Sequence, residues 1–105
     1  MSTGSLEAGD RAAAAVQKTP NRVTLASMLE KIDTVDFISP LSLPTMIICA
    51  MKMKNGFVLV GKSAPADPAN FDRLLGQDFA REDCIRQLWQ LEGYALRERL
   101  AAEGR

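Results

Sequence analysis

The chain has 105 residues, 47% apolar and 25% charged, so it holds one small globular domain at most. Thirteen basic and thirteen acidic side chains cancel, and neither end of the chain carries the positive field that nonspecific DNA binding needs. There is no histidine, and the two cysteines lack metal-ligand spacing, so neither a metal site nor any other cofactor is expected.

Residues 1–21 are rich in Ser, Gly, Ala and charge, with Leu6 and Val16 as the sizeable apolar side chains. Such a segment cannot offset its own ordering entropy and reads as a mobile N-terminal arm. It has no apolar core of a signal peptide, and no stretch approaches the ~18 apolar residues of a membrane span. The expectation is a cytoplasmic protein with no membrane partner. Residues 22–105 read as a single α+β domain. Thr24 is placed to cap a short helix whose Leu25, Met28, Leu29 and Ile32 follow the i, i+3, i+4, i+7 pattern, ending near Asp33. Pro40 and Pro44 make residues 34–44 irregular or edge structure, with a short strand at Val35–Ile38.

Thr45–Lys54 and Phe57–Lys62 flank Asn55-Gly56, a strong hairpin signal, because a type I′ turn needs positive φ at both central residues. A two-residue loop pairs Met53 with Val58, Met51 with Val60 and Cys49 with Lys62. One face then carries Ile47, Cys49, Met51, Met53, Val58 and Val60 as the core side. The other face exposes Phe57 and Leu59 beside Lys52 and Lys54, which predicts an interface and a homo-oligomer. Cys49 and Cys84 read as buried small hydrophobes. A long amphipathic helix opens at Asp67-Pro68. Phe71, Leu74, Leu75, Phe79, Ile85, Leu88, Trp89, Leu96 and Leu100 form its apolar stripe, with a bend expected near Gln90–Gly93. The fold class is therefore α+β: short N-terminal helix, antiparallel hairpin, long C-terminal helix.

Asn55-Gly56-Phe57, Gly61-Lys62-Ser63-Ala64, Asp67-Pro68-Ala69-Asn70-Phe71-Asp72, Gly76, Ala80-Arg81, Trp89 and Leu91-Glu92-Gly93-Tyr94-Ala95-Leu96-Arg97 occur here in that order. In these motifs the chain, from about Val23 to Leu100, resembles a family of small tailed-phage and prophage proteins catalogued after gene products of two short-tailed enterobacterial phages. The resemblance implies a phage origin and a non-structural accessory role in the cytoplasm of an infected or lysogenic bacterium. It transfers no catalytic residues.

Lys62 and Ser63, near the expected helix start, are candidate anion ligands. Tyr94 and Arg97 are candidates for stacking on a base and gripping a phosphate. Trp89 falls mid-stripe and reads as core. Asp78, Glu82 and Asp83 interleave with Arg81 and Arg86 and read as a salt-bridged face, and no nucleophile, base and oxyanion partner form a set. The expected function is non-enzymatic: sequestering a small anionic signal such as a cyclic nucleotide, and so countering host immunity. The alternative is an inhibitor or adaptor that binds a host protein through the hairpin face or the long helix. An enzyme acting on nucleotides is the third reading.

Overall fold

The run Ile47–Met53 alternates buried and less buried side chains, and its backbone finds hydrogen-bond partners on both sides. A computed structural model, which describes residues 4–105, makes it the middle strand of three. In chain order the elements are α1 (Gly4–Ala15), α2 (Leu25–Leu29), β1 (Ile32–Ile38), β2 (Ile47–Met53), β3 (Val58–Ser63), a 3-10 turn (Pro68–Asn70) and α3 (Arg73–Ala102). The sheet is antiparallel in the order β1-β2-β3, and α3 packs against β2 and β3 on one face. The α+β class expected from sequence is the class observed.

The core lies between α3 and the inner sheet face. Val35, Met51 and Leu59 form one cross-strand row, and Phe37, Cys49 and Gly61 the next. Ala80, Cys84, Ile85 and Leu88 meet them from α3, and Leu25 and Met28 close one end from α2. Small residues on both sides set the spacing. A Cβ on Gly61 would lie 2.3 Å from the Ala80 carbonyl oxygen and 2.9 Å from the Cys84 Sγ, so only glycine admits this approach of helix to strand.

That contact corrects the hairpin register. Asn55-Gly56 predicts a two-residue type I′ turn, but the only positive φ in the turn is at Gly56, at 91°. The Gly56 N–H donates to the Met53 carbonyl at 2.9 Å and the Met53 N–H to the Phe57 carbonyl at 2.8 Å, closing a three-residue loop. β3 is therefore shifted by one residue from the expected pairing: Met51 faces Leu59, Ala50 faces Val60 and Cys49 faces Gly61. A one-residue slip turns every side chain over. Leu59 is core at 6% exposure, whereas Val58 and Val60, expected inside, are exposed at 56% and 58%. The expected register would have put Lys62, opposite Cys49, where α3 tolerates only hydrogen.

Other expectations also change. Thr24 does cap α2, its Oγ1 accepting from the Ser27 N–H at 3.1 Å, but the helix ends at Leu29. Ile32 instead opens β1 and pairs with Met53, because a strand on that side satisfies the backbone of β2. Asp67-Pro68 opens the 3-10 turn, and α3 begins six residues after Asp67, capped by Asp72, whose Oδ1 accepts from the Leu75 N–H at 2.9 Å. The helix then runs unbroken through Gly76 and Gly93, with no break at Gln90–Gly93. Leu74, Leu75 and Phe79 are exposed, and the buried stripe runs through Ala80, Cys84 and Leu88 instead. Trp89, read as core, packs partly buried against the core cluster.

Residues 4–15, read from sequence as part of an arm, are helical, and Leu6 is buried. Asp10 fastens this helix: its Oδ1 accepts from the Arg22 guanidinium at 2.7 Å and from the Leu25 N–H at 3.1 Å. Arg86 Nη2 donates to the Ser5 hydroxyl at 2.9 Å, tying α1 to α3.

Two outcomes follow from this packing. Gly61→Ala lowers unfolding free energy by about 1–3 kcal/mol or more, read by denaturant melts, because the added carbon has no room against backbone. The Arg22 hydrogen bond holds the Asp10 carboxyl below the usual carboxylate range. Attachment of α1 is therefore complete above about pH 4 and fades as pH falls through the depressed folded-state value. Asp10→Ala removes that acid transition and raises amide exchange in residues 5–15 at neutral pH while the hairpin stays protected.

Candidate functional site

One concavity follows from the lengths of two helices. The 12 residues of α1 lie elsewhere, and the five residues of α2 are too few to cover the end of the sheet where the hairpin turns. A half-open cleft of about 780 Å³ is left between α2, the turn and α3. Its floor is apolar, made by the buried Met53 and Leu88, and Phe57 and Leu91 stand at its lip. Phe57 and Leu91 remain 52% and 45% exposed. Both also line a second hollow of about 430 Å³ along β3, so they form a ridge with a depression on each side.

The rim holds Glu30, Lys31, Lys54 and Glu92, with Ser27 and Asn55 between them. Its walls are fastened to one another. The Lys54 N–H donates to the Lys31 carbonyl at 2.8 Å, joining the turn to the end of α2. Lys31 Nζ meets Glu92 Oε2 at 2.8 Å, joining α2 to α3. Asn55 Oδ1 accepts from the Phe57 N–H at 2.9 Å, which fixes the backbone that carries the aromatic ring. A site held this way needs little ordering when something enters it.

Residues 13–100 match the model of the phage protein (N4 Gp49/phage Sf6 gene 66) family. The chain belongs to this family. No curated protein and no solved structure gives a significant match.

In this member of the phage protein family the motif residues have separate tasks. Asn55-Gly56-Phe57 forms the turn and the lip of the cleft, Gly61 is the contact point with α3, and Asp67-Pro68 shapes the link into it. The residues read from sequence as ligand-binding do not converge. Lys62 lies on β3 with its backbone N–H on Asp83 Oδ2 at 3.0 Å. The Ser63 hydroxyl donates to the Gly76 carbonyl at 2.5 Å and holds the first turns of α3. Tyr94 is 69% exposed and stands eighteen residues beyond Gly76, roughly 27 Å along the helix. Arg97, a turn further on, donates to the carbonyl of Arg105. Of the two residues read as interface, Phe57 is exposed and Leu59 is buried, because of the register correction.

Sequence reasoning did not single out Lys31, Lys54, Leu88 and Leu91 as a group, since they come from three elements. The one signal available was Phe57 directly after the turn. The cysteines behave as small buried groups: both are free and wholly buried, and the Cys84 thiol donates to the Cys49 carbonyl at 3.6 Å. The hydrogen bond with Cys49, and then burial, push the Cys84 thiol well above its ordinary value, so it stays protonated. Among the described residues no three acidic or cysteine side chains gather as a metal-ligand set, and no helix is long and apolar enough to cross a membrane.

Proposed function

We propose that this phage protein acts by binding rather than by catalysis, in the cytoplasm of the bacterium that carries the phage, and that the cleft beside the hairpin turn captures a small nucleotide signal of the host. The observation that carries the reading is the cleft itself. Its volume of about 780 Å³ falls in the range of small-ligand sites, and an exposed aromatic ring stands at its lip. Phe57 offers a face for a base with Leu91 beside it, Met53 and Leu88 offer an apolar floor, and Lys54 supplies a cation at the mouth. Two acidic and two basic side chains balance on the rim, and Lys31 is already paired with Glu92. That balance suits a compact molecule with one or two phosphate charges and much base surface, such as a cyclic dinucleotide, better than a polyphosphate. The site residues are then Phe57, Lys54 and Leu91, in place of Lys62, Ser63, Tyr94 and Arg97.

The same apolar floor and half-open shape also favour a second reading, in which an apolar segment of a host protein lies in the cleft and the phage protein is an inhibitor or adaptor. Calorimetry and thermal shift against cyclic di- and trinucleotides separate the two. Capture of a signal raises the melting temperature with the logarithm of ligand excess, and Phe57→Ala weakens binding by about tenfold or more. Lys54→Ala weakens it less, and Arg97→Ala leaves it unchanged. If no nucleotide shifts the transition at millimolar concentration, while a photo-reactive side chain at position 57 crosslinks one defined host protein, the protein-partner reading replaces the first.

A further inference from the structure

The sheet has a second face, opposite α3, and it is built differently from the cleft. The same cross-strand pairing that buries Leu59 points three rows outward: Ile38, Ile48 and Lys62; Asp36, Ala50 and Val60; Thr34, Lys52 and Val58. Ile38, Val58 and Val60 are 55%, 56% and 58% exposed, which is unusual for three β-branched side chains on one sheet face. Among the described residues no helix is laid over these rows, since α3 contacts the sheet from the other side.

The geometry points to a second copy of this chain as the occupant of this face, related by a twofold axis parallel to β2. Charge distribution selects both the partner and the axis. The outward charge of β1 is acidic, at Asp36, and that of β3 is basic, at Lys62, with apolar side chains between them. A twofold axis along the strands lays β1 of one copy over β3 of the other, so that each Asp36 faces the partner's Val60 with the partner's Lys62 diagonal to it, one row or about 7 Å along the strand and within reach of the long lysine side chain. A twofold axis across the strands would instead lay β1 over β1, opposing acid to acid. Lys52 falls near the chosen axis, and its own Asp33 carboxylate lies 3.3 Å from the ammonium and offsets its charge.

Edge-to-edge association is obstructed at β3. Met53 and Phe57 form a hydrogen-bonded pair, so by alternation the N–H and C=O groups of Val58, Val60 and Lys62 point to the open edge. Two of these groups already have partners from α3: Gln87 Nε2 donates to the Val60 carbonyl at 2.9 Å, and Asp83 accepts from the Lys62 N–H at 3.0 Å. Side chains that cap an edge in this way discourage a strand from being added there. The proposed dimer uses the outer face instead of this edge. Three strands at about 4.8 Å spacing and about six residues of length give a footprint of roughly 300 Å². That is well under the ~800 Å² per partner of a standard interface, so the dimer is weak, with dissociation in the micromolar range or above.

Sedimentation velocity over a concentration series tests this arrangement. The wild-type chain shifts from monomer to dimer as concentration rises into the hundreds of micromolar. Val60→Asp abolishes the shift, and Asp36→Lys or Lys62→Asp alone each weakens dimerisation by about tenfold. The double variant Asp36→Lys/Lys62→Asp restores it, because the twofold axis makes these two positions diagonal neighbours across the interface. All three positions are exposed, and an unchanged melting temperature at low concentration verifies that each variant is folded. A wild-type chain that stays monomeric throughout overturns the proposal. So does a dimer indifferent to Val60→Asp, or a double variant no better than either single one. Nucleotide binding by the cleft is read separately, through Phe57→Ala, so failure of one proposal leaves the other standing.

Discussion

The closeness of α3 to β3 at Gly61 is the constraint from which the rest of the arrangement follows. With a virtual Cβ only 2.3 Å from the Ala80 carbonyl, helix and strand touch through backbone, and the neighbouring Ala80 and Cys84 are small enough to allow it. Gly61 must therefore face the helix. Side chains alternate along β3, so Leu59 must face it too, and Val58 and Val60 must not. The hairpin loop takes the length that meets this demand, and Phe57 is left at the lip of the cleft. The same proximity brings Asp83 and Gln87 within hydrogen-bonding reach of the β3 edge.

A second pattern concerns the carboxylates. Asp10 accepts the Leu25 N–H, Asp67 the Ala69 N–H, Asp72 the Leu75 N–H and Asp83 the Lys62 N–H. Each of these aspartates secures a backbone donor at a helix start or a strand edge, where a donor would otherwise go unpaired. These four acidic side chains thus serve the architecture. The chemistry left at the surface is apolar and aromatic, with balanced charge around it, which suits recognition. Two such surfaces lie on different sides of the sheet: a concave one beside the turn, suited to a small ligand, and a flat one suited to another flat surface.

Much was legible locally. Thr24 is a cap, Asn55-Gly56 is a turn, and the inward residues of β2 are Ile47, Cys49, Met51 and Met53, because apolar alternation and turn chemistry act over a few residues. The family resemblance was carried by short motifs from Asn55 to Arg97, of which the turn is the first. The errors share one physical origin. Ile32 fits a helical pattern taken alone but pairs with Met53, and Asp67-Pro68 has the chemistry of a helix start but delivers one 3-10 turn before Asp72 takes over as the cap of α3. Local preference is weak enough for pairing and packing to override it.

The candidate site was less legible than the fold. Lys62, Ser63, Tyr94 and Arg97 have suitable chemistry, but the first two end β3 and the last two lie far along a helix roughly 45 Å long, and the residues that do line a common cleft come from α2, the turn and α3. Sequence by itself determined the class of the fold, the apolar strand before the turn, the presence of the turn and the family to which the chain belongs, since each is written in short-range pattern. Only the tertiary structure decided the register of β3, the continuity of α3, which valines face outward and where the cleft lies. Those depend on how closely one backbone can approach another, and that distance is set by the absent side chain of Gly61 meeting a helix some twenty residues away in the chain.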